Sequence, residues 1–178
     1  MSLTVVYARD TGHVLGALAL TGPAGPPPAI AALVGKQLPV RVGLRDGKNA
    51  ELPVPAGRLD VAAVDDTPDT LVDPFGFGVE LTSDGVPKSA LLPLADWPEA
   101  SPVSLSADGV SIKLPTPAPT DLQVLVVVAG GAQVHLVPSQ ILARDDHTTV
   151  AMTLASGQEY GVLTLVQRWV GRLEALHF

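Results

Sequence analysis

Five aspartates between residues 60 and 73 form a group that could bind a cation or a diphosphate: Asp60, Asp65, Asp66, Asp69 and Asp73. Asp65-Asp66-Thr67-Pro68-Asp69 has the D-D-x-x-D spacing, which binds Mg²⁺ and diphosphate when a helix places the carboxylates on one face. Pro68 argues against such a helix, because proline removes a backbone donor in a helix interior. A calcium site in this loop is an alternative, since Ca²⁺ accepts flexible oxygen ligands. The D-x-D-x-D-G spacing is missing, so we predict a solvated acidic loop and no metal site.

The histidines are spaced too irregularly for a zinc site. The chain has no cysteine, and none of its four histidines forms an H-x₃-H or H-E-x-x-H pair. His13 and His147 each follow an Arg-Asp pair and are predicted to be turn residues. His135 is predicted to point to solvent from one face of a strand.

The sequence also lacks the patterns that position a nucleophile or a phosphate. No G-x-S-x-G and no G-x-x-x-x-G-K-[ST] occurs. Gly76-Phe77-Gly78 begins like a dinucleotide-binding loop, but the third glycine is missing and a strand is expected next. We therefore predict no catalytic residue and no cofactor.

Most large aromatic side chains of the first half fall in loops, in Asp73-Pro74-Phe75-Gly76-Phe77-Gly78 and Asp96-Trp97-Pro98. Loop aromatics are typical anchors of protein interfaces. The candidate interface residues are therefore Phe75, Phe77, Trp97 and Trp169. The alternative is that these rings close the ends of a β-sandwich.

Composition limits the partners. The net charge is −7, and the 11 Lys and Arg residues are dispersed, whereas phosphate backbones and anionic membranes require clustered cations. The longest apolar run, residues 124–132, is far shorter than the ~20 residues that span a bilayer, and no signal peptide is recognisable. We predict no nucleic acid, no membrane insertion and a cytoplasmic location, or an assembly built in the cytoplasm.

Short apolar runs separated by 17 glycines and 17 prolines are typical of strands joined by turns. Residues 38–44 alternate with a period of two, which predicts a half-buried strand. Residues 122–128 are apolar on both faces, which predicts the centre of a sheet covered on both sides. Residues 28–34 predict a short helix ending at Gly35. Further strands are predicted at 3–8, 13–21, 50–54, 58–64, 76–81, 133–137, 150–154 and 162–166, and residues 103–114 predict a hairpin with its turn at Asp108-Gly109.

Residues 115–120 (PTPAPT) divide the chain. Three alternating prolines cannot continue a ladder and favour polyproline II. We predict an N-terminal β domain at residues 1–114, a linker at 115–120 and a C-terminal β domain at 121–178. The predicted fold class is all-β, with two small antiparallel β-sandwich or barrel-like units and at most one or two short helices. A single continuous sandwich is the alternative.

Two features stay open. Trp169, Leu173 and Leu176 have helical spacing, but Gly171 weakens a helix by ~1 kcal/mol, and the same residues could extend a strand. Residues 8–22 and 143–157 share the order polar turn, apolar strand and glycine, with one residue inserted. A duplication would bring His13 and His147 together, whereas two unrelated hairpins would not.

Three functions fit these patterns. The first is a non-catalytic structural or adaptor subunit of a larger protein assembly, such as a phage-tail-like or contractile injection apparatus, with other protein subunits or its own copies as partners. The second is a ligand- or carbohydrate-binding β module. The third is an enzyme whose site has no recognisable motif.

Overall fold

The computed structural model describes residues 3–19, 25–98 and 102–178, and strands dominate them. The α-helices in these ranges are α1 (Ile30–Val34) and α2 (Asp69–Val72), and short 3-10 helices form at Ala56–Arg58 and Pro74–Gly76. The strands are β1 (Leu3–Ala8), β2 (Val14–Ala19), β3 (Gln37–Gly43), β4 (Asn49–Pro55), β5 (Leu59–Val64), β6 (Phe77–Gly78), β7 (Leu92–Pro93), β8 (Val103–Ser106), β9 (Gly109–Lys113), β10 (Leu122–Gly130), β11 (Gln133–Ile141), β12 (His147–Ala151), β13 (Glu159–Val166) and β14 (Arg172–His177). The predicted all-β class is confirmed.

The strands form several small antiparallel sheets. A four-stranded sheet has the order β11-β10-β13-β14, and two three-stranded sheets have the orders β2-β1-β5 and β12-β9-β8. β3 pairs with β4 in a hairpin, and β6 pairs with β7 over two residues. The four-stranded sheet lies at the centre, because both of its faces contribute to buried clusters.

β10 shows why the centre is apolar on both faces. Val124, Val126 and Val128 pack in a cluster with residues of β8, β9 and β12. Leu125 and Val127 alternate with them and pack in a second cluster with residues of β1, β3 and β4. Side chains of a strand alternate between faces, so a stretch covered on both sides, such as residues 124–129, is apolar at successive positions. The prediction of a doubly covered central strand is confirmed.

The β3–β4 hairpin lies directly on β13. A Cβ at Gly161 would lie 2.6 Å from the Ala50 Cβ and 2.7 Å from a Val42 methyl carbon. Real side chains do not approach that closely, so glycine at 161 lets the hairpin contact the sheet. The Asp46-Gly47 turn and the strand pairing predicted for this hairpin are confirmed.

Core packing continues across residues 115–120. Ala118 is buried in the same cluster as Val110 and Val162, which lie on either side of this segment in sequence. Its N–H donates to the Asp145 carbonyl at 2.8 Å, and its carbonyl accepts from the Arg144 N–H at 2.8 Å. The segment has no helix or strand, but it is fixed to the rest of the fold. The division into two domains stays a prediction.

The segment predicted as a strand at 76–81 is mostly irregular. Only Phe77 and Gly78 pair as β6, and Leu81 makes a single bridge with Pro87. The facing segment carries Pro87 and Pro93, which have no N–H to donate to a ladder. The predicted strand was therefore too long.

Other local predictions have mixed outcomes. The helix ending at Gly35 is confirmed, and Gly35 has φ of 65°, a conformation that glycine adopts readily. Residues 172–177 form strand β14 against β13, so the strand alternative for the tail is correct. Residues 20 and 21 of the predicted second strand lie outside the described residues. No helix in the described ranges is long and apolar enough to cross a bilayer.

Candidate functional site

The four predicted interface aromatics pack against three different clusters of buried residues. Trp97 and Trp169 stack with ring centroids 4.8 Å apart, and the Trp97 Nε1–H donates to the Val170 carbonyl at 2.7 Å. Both tryptophans pack against the cluster that contains β9 and β12. Phe75 packs against the second cluster and Phe77 against a third, around β1 and β2. All four rings are partly buried, and their role at an interface stays a prediction.

His13 was predicted to be a turn residue, but it follows the turn between β1 and β2 and its side chain lies in the core. Its side chain is 0% exposed, and its ring nitrogens contact the Thr11 hydroxyl at 2.9 Å and the Trp169 carbonyl at 2.7 Å. A carbonyl can only accept, so Nε2 carries the proton and Nδ1 accepts from Thr11. Burial lowers the pKa of His13 to about 4, against the opposing effect of the bond to Trp169. The imidazole is therefore neutral at pH 7.

His13 and His147 are not brought together. The His147 side chain is 74% exposed, and its Nδ1 lies 2.9 Å from an Asp146 carboxylate oxygen. His135 also differs from its prediction, since its Nε2 is buried with no hydrogen-bond partner among the described residues. His135 pairs with Val128 in the ladder, so both side chains share the face that the β12-β9-β8 sheet covers.

A cleft of about 700 Å³ opens beside His13. Its walls come from segments distant in sequence: the β1–β2 turn, residues 78–81, residues 92–95 and the turn after β13. A Cβ at Gly12 would lie 2.7 Å from the Val79 carbonyl oxygen, so glycine at 12 lets the first two segments meet. The remaining walls are joined by the hydrogen bond from the Ala95 N–H to the Arg168 carbonyl, at 2.9 Å.

The carboxylates at the cleft already have cationic partners. Asp10 accepts two hydrogen bonds from Arg58, at 3.0 and 3.1 Å. Glu80 accepts one from Lys88 at 2.7 Å. This bond, with the charges of Lys88 and Arg168, holds the pKa of the Glu80 carboxyl below its usual value. Both carboxylates are therefore paired with cationic side chains.

The two arginines that line the cleft, Arg9 and Arg168, differ in their contacts. Arg9 lies 3.4 Å from Asp60. Arg168 lines the cleft without a hydrogen bond or ion pair of its guanidinium to any described residue. Its backbone has φ of 74°, the left-handed region that bulky side chains seldom adopt. The Trp169 N–H donates to the Val166 carbonyl at 2.9 Å and closes the turn that holds Arg168 in this conformation.

β11 forms an uncharged edge of the central sheet. It is nine residues long and pairs only with β10 among the described strands. It contains no Asp, Glu, Lys or Arg. Val134 near its start and Leu142 just past its end are 50% and 49% exposed. An unpaired row of N–H and C=O groups is a template for pairing with another strand.

Sequence reasoning missed both the cleft and the edge. The turn at Arg168 has no glycine at the position with positive φ, so its left-handed backbone could not be predicted from the sequence. The edge did leave one, because Pro138 inside an apolar run indicates an edge strand. We had ended that strand at residue 137, one position before the proline.

The acidic loop does not gather its carboxylates. Asp60 faces Arg9, and Asp65 accepts a hydrogen bond from the Ser89 hydroxyl at 3.1 Å. Within residues 3–19, 25–98 and 102–178, no three His, Asp or Glu side chains are grouped to hold a metal ion.

No protein-family model matches this chain, and no curated protein matches it with significant similarity.

Proposed function

We propose that this protein is a structural or adaptor subunit of a cytoplasmic assembly, without catalytic activity, and that it associates with a second copy of itself through the edge of β11. The observation that carries the proposal is the uncharged, unpaired edge of this strand. Natural sheets block such edges with charges, with proline, with a covering element or with very short strands, and of these devices the sequence of β11 carries a single proline, Pro138. At ~3.4 Å per residue, the β11 edge extends for about 30 Å.

The other edges of the three- and four-stranded sheets are charged, covered or short: β5 carries Asp60, and β12, which has no Asp, Glu, Lys or Arg, is only five residues long. β14 has Arg172 and Glu174 on its six residues, and β8 is only four residues long. β2 is uncharged, but α2 and the turn at Pro74–Gly76 pack beside it. β11 has only Pro138, which withholds a single donor. This contrast supports β11 as the edge that takes a partner.

A second copy fits this edge because antiparallel pairing about a two-fold axis places the strand opposite itself. Pairing centred on Pro138 would set Val134 of one copy beside Leu142 of the other, and would join two half-exposed apolar side chains. No like charges would face each other along the strand. Protein is favoured over nucleic acid as the partner, since each chain carries a net charge of −7.

Sedimentation velocity over a concentration series tests the proposal. The wild-type protein should dimerise, and more strongly at 0.5 M than at 0.05 M NaCl, because salt screens repulsion between two chains of charge −7. Val134→Lys should raise the dimer dissociation constant at least tenfold, since the new ammonium must lose water at the paired edge.

Val86→Lys is the matched control. Val86 is 58% exposed, close to the 50% of Val134, but it lies in the turn before Pro87 and not on β11. This variant should dimerise like the wild type. A wild-type protein that stays monomeric at all concentrations would refute self-association, and so would equal effects of the two lysines.

A further inference from the structure

We propose that the cleft beside Arg168 binds an aliphatic monocarboxylate, either a free acid or the C-terminal carboxylate of a peptide that ends in an apolar residue. The volume of about 700 Å³ lies within the range of small-molecule sites, roughly 300–1,000 Å³. The cleft contains no residue of β11, so this proposal stands apart from self-association.

Charge accounting at the cleft favours an anion. The lining carboxylates Asp10 and Glu80 are each hydrogen-bonded to a cationic side chain, and Arg9 lies beside Asp60. The guanidinium of Arg168 is left with donors that no described residue accepts. An arginine presents its N–H groups as a fork that matches the two oxygens of a carboxylate.

The backbone at Arg168 supports the same conclusion. A non-glycine residue in the left-handed region costs of the order of 1 kcal/mol, and such positions cluster at functional sites. Here the turn that holds φ at 74° also places the side chain at the cleft. Arg144 has φ of 76° and does not line the cleft. It is therefore a control position with the same backbone conformation but outside the proposed binding site.

The remaining lining selects the body of the ligand. Leu81 and Leu92 line the cleft and are 46% and 42% exposed, although both are apolar. Burying them against an aliphatic chain is favourable by roughly 25 cal/mol per Å². Tyr7 also lines the cleft, and a tyrosine hydroxyl is a hydrogen-bond donor that a carboxylate can accept from.

The same charges exclude other anions. A phosphate or nucleotide requires several clustered cations, whereas the cationic side chains that line the cleft are Arg9, which lies beside Asp60, and Arg168, whose charge also acts on Glu80. A dicarboxylate would bring its second charge towards the carboxyl groups of Asp10 or Glu80, which also line the cleft. The expected preference is therefore for a single carboxylate on an apolar chain.

The test is a titration followed by amide chemical shifts in two-dimensional NMR. The probes are hexanoate and an N-acetylated peptide ending in Leu, each compared with a neutral analogue, hexanol or the peptide amide. Saturable shifts at the cleft are expected with one or both carboxylates, and the responding probe identifies the source. Binding of the neutral analogue as tightly, or tighter binding of adipate or inorganic phosphate, would overturn the proposal. So would the absence of saturable binding by both carboxylates.

Variants connect the binding to Arg168. Arg168→Gly removes the guanidinium and suits the left-handed backbone, so the fold should persist, and it should weaken binding at least tenfold. Arg168→Lys should retain part of the affinity, because it keeps the charge but loses the fork. Arg144→Gly makes the same change at the other left-handed arginine and should bind like the wild type. Unchanged binding by Arg168→Gly would refute the proposal.

Discussion

His13 should make the protein sensitive to mild acid. Its pKa is lowered from 6.5 to about 4 in the folded protein, so below pH 6.5 the unfolded chain binds a proton that the folded chain excludes. The neutral ring thus contributes stability that is fully present above pH 6.5 and is lost as the pH falls towards 4. By linkage, the loss amounts to about 1 kcal/mol at pH 5.5 and about 3 kcal/mol at pH 4.

The assay is urea unfolding of the wild type and of His13→Gln from pH 7.5 to pH 4. At pH 7.5 His13→Gln should be less stable than the wild type, because glutamine fits the hydrogen bonds to Thr11 and Trp169 less well than the imidazole does. Glutamine stays neutral over this pH range, so its own contribution to stability does not change with pH. The difference in unfolding free energy should then shrink by about 3 kcal/mol by pH 4. Carboxylates titrate in both proteins, so their effect cancels in the difference.

His147→Gln is the control, because it removes an exposed histidine and leaves His13 in place. This variant should keep the acid sensitivity of the wild type. A difference between His13→Gln and the wild type that stays constant with pH would refute the reasoning, since it would mean that the buried ring does not exclude a proton.

Two further stability predictions can be checked by thermal unfolding. Gly109→Ala should lower the free energy of unfolding by at least about 2 kcal/mol more than Gly47→Ala does. Both glycines have positive φ, but only a Cβ at 109 would overlap the Val150 carbonyl oxygen. Equal losses would contradict this, since they would mean that backbone strain alone determines the effect. Trp97→Phe should lose about 1 kcal/mol, since the ring contact persists but the bond to the Val170 carbonyl does not, and a loss as large as that of Trp97→Ala would contradict this.

The elements that the sequence predicted well are those whose pattern is local. Leu38, Val40 and Val42 occupy alternate positions, and Asp46-Gly47 follows them. Both the strand and the turn are therefore predicted from ten consecutive residues. The same holds for β10, because its continuous apolar run predicts a strand that is covered on both faces.

What the sequence could not show depends on contacts between distant segments. His13 was predicted to be a turn residue because Arg-Asp precedes it, yet its environment comes from Trp169, 156 positions away. The cleft likewise joins residues near 10, 80, 94 and 168. A local pattern of residue types does not indicate which distant residues come into contact, and without an alignment there is no covariation to indicate it either.

The two proposed sites are distinguishable because no residue belongs to both. Val134→Lys changes only the edge of β11, so it should leave hexanoate or peptide binding at the cleft unchanged. Arg168→Gly changes only the cleft, so it should leave the dimer dissociation constant unchanged. If either variant altered both properties, the turn after β13 and the edge strand would be coupled through β10, which pairs with β13 and β11. The cleft would then regulate association, and the sites would have to be treated as one.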